Sequence, residues 1–176
     1  LTPLPAHRWK YLRLRPANFP TIRIVQFAAL VHKSFHLFSQ IVETNTVKEV
    51  TELLDVTASD YWDTHYRFDE SSDTATPKHL GKSSIQNIII NTIAPIRYLY
   101  AQAHGTDKQQ ELALQLLDEL SAEKNHIIEE YNTIGWKAIN AAQGQAFIQL
   151  YNNYCSKKRC LECAVGLSLL KSTPDK

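Results

Sequence analysis

One apolar stretch, residues 84–100, constrains the chain more than any other. Its apolar positions, Ile85, Ile88, Ile89, Ile90, Ile93, Ala94, Ile96 and Leu99, keep a helical period and cover more than half of a helix circumference. That breadth marks a helix buried by neighbours on several sides, the central core helix of an α-helical fold. Ser83 or Ser84 is placed to cap its start, and Gly105 to supply a left-handed residue at its end. Pro95 lies inside it. A proline there removes one backbone donor and crowds the carbonyl four residues earlier, so the sequence predicts a kink, or a break into two half-helices, between residues 91 and 96. Broken helices sometimes flank binding sites; a kink more commonly lets a helix follow its neighbours. Gln86, Asn87, Asn91 and Arg97 interrupt the run well short of the roughly 20 apolar residues that a bilayer requires, and no membrane role is expected.

The remaining chain is expected to wrap this helix into one domain. A length of 176 residues is enough for one full hydrophobic core, and the five glycines suit helices with short connections. Nineteen basic and eighteen acidic side chains leave a net charge of +1, which excludes a global field that would draw in nucleic acid or an anionic membrane. Any such binding must come from a local patch. The start, residues 1–5, lacks the basic and apolar regions of a signal peptide. The chain contains no methionine, and is read as a piece of a longer precursor. Three cysteines within nine residues do not form a secreted disulfide framework, so a reducing cytoplasm is expected.

Residues 9–16 alternate in type and suggest a short extended segment, with a strand partner elsewhere, halted by Pro16. Asn18 or Phe19 caps a helix with Pro20 in its first turn, and a long apolar helix follows over 22–42, carrying His32 and His36 four residues apart. Thr46 and Glu49 match a capping box for a shorter helix with Val47, Val50, Leu53 and Leu54 on one stripe. Residues 61–68 are the most aromatic part of the chain, and 69–82 form a long polar loop. Thr106 and Asp107 open an amphipathic helix with Leu112, Leu116, Leu117 and Leu120. Further helices are expected at 122–131, ending near Gly135, at 136–154 and at 160–171. No repeat of 20 to 50 residues is present. The sum is an all-α bundle of about seven or eight helices around a proline-kinked central helix.

Three clusters could carry chemistry. Cys155, Cys160 and Cys163 are spaced by four intervening residues and then two, and a helix end followed by a helix start could turn three thiolates toward one ion. Lys157, Lys158 and Arg159 would offset their charge. Zinc or an iron–sulfur cluster needs a fourth ligand, with His7, His32, His36, His65, His79, His104 and His126 as the candidates. The competing reading makes these cysteines small buried residues, or lets two of them form an incidental disulfide. The second cluster is Asp63 and His65 among aromatic residues, which could form part of a small-molecule or nucleotide pocket, although aromatic residues ahead of a loop more often anchor it to the core. No nucleophile is placed beside them by any motif, so catalysis is not indicated. The third is basic: Arg8, Lys10, Arg13, Arg15 and Arg23, interleaved with Trp9, Tyr11 and Phe19, could hold phosphates, with Arg23 in a helix first turn. Its plain alternative is a surface paired with carboxylates of an upstream part. The His32 and His36 pair could face a metal, but no glutamate-bearing motif joins them; phosphate-loop and dinucleotide fingerprints are absent.

Residues 13–23 (Arg13, Leu14, Arg15, Pro16, Ala17, Asn18, Phe19, Pro20, Thr21, Ile22, Arg23), then Tyr61, Trp62, His65 and Tyr66, then 91–95, then Tyr154 and Cys155 through Cys160 to Cys163 and Gly166, together resemble the C-terminal part of a family of uncharacterised bacterial proteins classed as a domain of unknown function. The resemblance spans nearly the whole chain. It implies longer members with an N-terminal part absent here, similar to a nuclease-like sheet domain, and it carries no established activity. The leading expectation is a non-catalytic helical recognition or scaffolding domain of a larger cytoplasmic protein, partnered by that N-terminal part. The alternatives are an accessory domain of a nucleic-acid-processing enzyme, binding nucleic acid through Arg13, Arg15 and Arg23, and a metal or cluster protein built on the cysteines.

Overall fold

A computed structural model describes residues 5–171, so residues 1–4, which weigh most in the reading of the chain's start, lie outside it. The described chain is mostly helical, with one small two-stranded sheet, and it divides into two compact units, one ending at Ile93 and the other beginning at Ala94.

In the first unit, residues 9–16 are not a strand. A turn closed by the Leu14 amide on the Tyr11 carbonyl (3.2 Å) interrupts them, with Arg13 in the left-handed region at φ 64°. Helix α1 (Pro20–Lys33) begins on Pro20, whose missing donor costs nothing in a first turn. The single long helix expected over 22–42 is two helices. The first stops at Lys33, where Ser34 turns extended, and α2 (Leu37–Glu43) starts after His36 at φ 61°, so His32 and His36 do not share a helix face. Helix α3 (Val47–Leu54) carries the expected capping box: Thr46 Oγ1 accepts from the Glu49 amide, and Glu49 Oε2 accepts from the Thr46 amide. Lys33 then closes the other end of α3, donating to the carbonyls of Glu52 (2.9 Å) and Asp55 (2.8 Å). Strands β1 (His65–Arg67) and β2 (Glu70–Ser71) form an antiparallel hairpin, with Asp69 left-handed in the turn. Ile22, Ala58 and Trp62 make a buried cluster on which Phe19, Val25 and Tyr66 pack.

From Lys82 the backbone stays helical through α4 (Lys82–Ile88), a π-helical stretch (Ile89–Ile93) and α5 (Ala94–His104). Gly81, not Ser83 or Ser84, occupies the capping position. Pro95 does not break the rod. The wider π turn lies directly before it, where the carbonyls that would clash with its ring and lack its donor must be accommodated. This widening also re-aims the residues. The buried positions are Ile85, Ile89, Ile93, Arg97 and Ala101, with Ile90 and Ala94, whereas Ile96 and Leu99 are exposed. Four residues overshoot a turn of α-helix by about 40°. A π turn needs more than four, so over Ile89–Ile93 it offsets that drift.

In the second unit α5 packs along α6 (Asp107–Glu119), and α6 and α7 (His126–Thr133) pack on α8 (Ala141–Leu150). Thr106 and Gln109 form a second capping box, and Asn125 and Asn140 cap α7 and α8. Gly105 is needed for closeness, since a side chain there would meet the Ala101 backbone at 3.0 Å. Helix α8 runs into a second π-helical stretch (Tyr151–Cys155), and a 3-10 turn (Cys160–Glu162) leads into α9 (Ala164–Lys171).

Candidate functional site

The polar candidates of the first unit are engaged in holding it together. Arg23 donates to Asn18 Oδ1 (2.6 Å), Ser84 Oγ (2.9 Å) and Gln26 Oε1 (3.0 Å), so its guanidinium joins α1 to the start of α4. Arg13 and Arg15 are exposed, as are Arg8 and Lys10. His65 stacks on Tyr61 (centroids 4.0 Å apart, 11° between planes), and its Nδ1 lies 2.7 Å from the Tyr61 carbonyl. A carbonyl only accepts, so Nδ1 donates in this bond. The Asp63 carbonyl accepts from the Thr76 amide (2.8 Å) and from Lys78 Nζ (3.0 Å). Lys78 is buried, also donates to the Thr76 carbonyl (2.6 Å), and lies 4.0 Å from the centre of the Tyr66 ring. Gln26 Nε2 holds the next two carbonyls, Lys78 and His79. The polar stretch after the aromatic run is thus strapped down over 72–80. Asp63, through its backbone carbonyl, sits at one of its anchor points, and His65 pairs with Ser71 beside it.

Beside this strap lies a cavity of about 350 Å³ lined by Arg23, Gln26, Phe27, Leu30, Leu80 and Ser84 among others. Next to it the outer face of α1 is apolar and open: Ile24, Phe27 and Val31, at helical spacing, are exposed, and Phe35 beyond the helix end is 81% exposed.

The cysteines belong to the second unit. Gly135, at φ 89°, ends α7: its amide reaches the Asn132 carbonyl (3.1 Å) and the Trp136 amide reaches the Tyr131 carbonyl (3.0 Å). That paired closure lays Trp136 flat on Tyr131 (6.0 Å, 11°). From the other side the π-helical end of α8 delivers Tyr154 and Cys155, and Lys158 at φ 54° turns the chain back toward Cys160. Gly166 packs on the Cys160 carbonyl with no room for a Cβ. The result is an apolar pocket of about 220 Å³ lined by Tyr131, Trp136, Tyr154, Cys155, Cys160 and Cys163 together with aliphatic side chains.

All three cysteines are free; Cys155 and Cys160 are exposed and Cys163 is buried. Tyr131 Oη and Cys155 Sγ are hydrogen-bonded at 3.3 Å. Burial, then the Cys155 bond, push the Tyr131 phenol well above its ordinary range, so it stays protonated and can donate to sulfur. Arg159 pairs with Glu162 across the turn and holds that carboxyl below the usual carboxylate range. Among the described residues no group of three or more His, Cys, Asp or Glu is arranged to hold a metal ion. Sharing a pocket does not give the three sulfurs a coordination geometry, and no histidine joins its lining. Tyr131 and Trp136 escaped the sequence reading; the signal was Gly135 after an apolar helix, which fixes the aromatic pair at the helix end.

Fold and site define a mostly helical protein with an open apolar helix face and a separate thiol-lined pocket. A family model described as Protein of unknown function (DUF2851) matches residues 1–126, and the chain belongs to that family. The cysteine pocket lies beyond the matched residues. No curated protein and no solved structure matches the chain. Among the described residues no helix is long and apolar enough to cross a membrane.

Proposed function

We propose that this chain is a non-catalytic helical recognition and scaffolding domain of a bacterial cytoplasmic protein, and that the outer face of α1 is its docking surface. The observation that carries this reading is the exposed stripe Ile24, Phe27 and Val31 beside the 350 Å³ cavity. Contiguous exposed apolar side chains next to a socket are what a protein interface presents before its partner arrives. The polar residues that would otherwise suggest a ligand, Arg23, His65 and Lys78, are committed to the fold. The resemblance to the C-terminal part of longer proteins supplies the occupant: the preceding part of the same polypeptide, packing on α1. The nucleic-acid alternative keeps only Arg13 and Arg15 as uncommitted members of its three arginines, a thin phosphate-binding surface.

Hydroxyl-radical footprinting tests this reading. Phe27, Phe35 and Val31 are expected to oxidise several-fold more slowly in a longer family protein carrying this chain than in the chain alone. Equal oxidation in both would overturn the assignment. So would a concentration-dependent dimer of the chain alone that protects the same residues, since that would make a second copy the occupant.

A further inference from the structure

The geometry points to a thiol–disulfide exchange site at Cys160 and Cys163, in which the apolar pocket formed with Tyr131, Trp136 and Tyr154 receives a small organic disulfide bearing aromatic or aliphatic groups. The two cysteines bracket a single tight turn, closed by the Cys163 amide on the Cys160 carbonyl at 3.3 Å. The ends of such a four-residue turn lie within about 7 Å of one another. A disulfide requires Cα atoms about 4.4–6.8 Å apart, a spacing within the reach of such a turn. Exposure assigns the roles. Cys160 is exposed and meets the substrate, whereas Cys163 is buried behind it and resolves the intermediate. The Cys163 carbonyl accepts the first amide bond of α9, from Leu167 at 2.8 Å, so the resolving cysteine sits at the cap of that helix. Gly166, packed on the Cys160 carbonyl, keeps the turn against α9.

The reaction balances on these residues and one named substrate class. The Cys160 thiolate attacks one sulfur of an organic disulfide, forming a mixed disulfide and expelling one thiolate. The Cys163 sulfur then attacks Cys160 Sγ, closing the Cys160–Cys163 disulfide and expelling the second thiolate. Two electrons pass from the protein dithiol to the substrate, and the two protons of the cysteines end on the released thiols. Cys155 takes no part in the bond changes. Its hydrogen bond to Tyr131 holds the ring that, with Trp136, forms the pocket wall.

The probe is 4,4′-dithiodipyridine, an uncharged aromatic disulfide whose released thiopyridone is read by absorbance, set against cystamine, a cationic one. The chain is expected to release two thiopyridones rapidly and retain none, with peptide mapping showing a Cys160–Cys163 disulfide. Cys163→Ser is expected to trap one adduct on Cys160, and Cys160→Ser to abolish the rapid phase. Trp136→Ala is expected to slow the aromatic probe about tenfold more than it slows cystamine. First modification at Cys155, stable adducts on both Cys160 and Cys163, or equal slowing of both probes in Trp136→Ala would overturn the proposal. One equivalent of zinc or iron retained after purification without chelators, with thiols that resist the probe, would do the same by making these cysteines ligands.

Discussion

Gly166 and Tyr131 do the most at the residue scale, and for opposite reasons. Gly166 matters for the side chain it lacks: the Cys160 carbonyl occupies the place of a Cβ. Gly166→Ala is therefore expected to cost about 1–3 kcal/mol, seen as a lower urea midpoint with an unchanged slope. Tyr131 matters for a proton. Its folded-state pKa is raised above the ordinary value of 10.0, first by burial and then by the Cys155 bond. Its contribution to stability is thus fully present below about pH 10 and is lost as pH rises through the raised folded value. Urea melts between pH 8 and pH 11 are expected to show wild-type stability falling more steeply above pH 10 than that of Tyr131→Phe; parallel curves would contradict the assignment. Position 166 was legible in sequence only as a glycine near cysteines, because the carbonyl that excludes a side chain comes from six residues earlier through a turn that no local pattern specifies.

At the scale of elements, the side-chain caps at Thr46 and Thr106 were legible locally, whereas what depended on register was not. The capping box at Thr46 needs only four consecutive residues and is present, and Thr106 caps its helix as expected, with Gln109 completing a box there too. The central rod was recognisable by its isoleucines, yet Ile96 and Leu99 are outside and Arg97 inside. A constant 3.6-residue period cannot anticipate a π turn, and Pro95 announces trouble in the helix without saying whether it will be a break or a widening. The helix expected over 22–42 is interrupted between Ser34 and His36 for a similar reason, since nothing in an apolar period marks an extended residue or a left-handed one. The strap over 72–80 shows the reverse case, a stretch too polar to look structured that is fastened by one buried lysine. Lys78→Met keeps the bulk and removes the lysine's bonds to the Asp63 and Thr76 carbonyls, leaving Asp63 only the Thr76 amide, and a loss of about 2 kcal/mol is expected. Hydrogen exchange at the Thr76 and Leu80 amides should accelerate in that variant, and unchanged exchange would show that the strap is held by something else.

For the molecule as a whole, the helical class and the family were within reach of the sequence, whereas the candidate surfaces were only partly so. The three cysteines could be seen to cluster, but the pocket they share is completed by Tyr131 and Trp136, brought in by a helix cap some twenty residues away. The apolar face of α1 could not be told from a core face, because Ile24, Phe27 and Val31 have the same spacing whether a partner covers them or not. That face is the centre of the account: it is open among the described residues, and we propose that a preceding part of the polypeptide covers it. The measurement that tests it most directly is thermal unfolding of the double variant Phe27→Glu with Val31→Glu in both contexts. In the chain alone the change is expected to stay within about 0.5 kcal/mol, as for other exposed positions. In the longer protein the two charges would lie in an apolar interface, and a loss of more than about 2 kcal/mol is expected. Equal effects in the two contexts, whether small or large, would contradict the account.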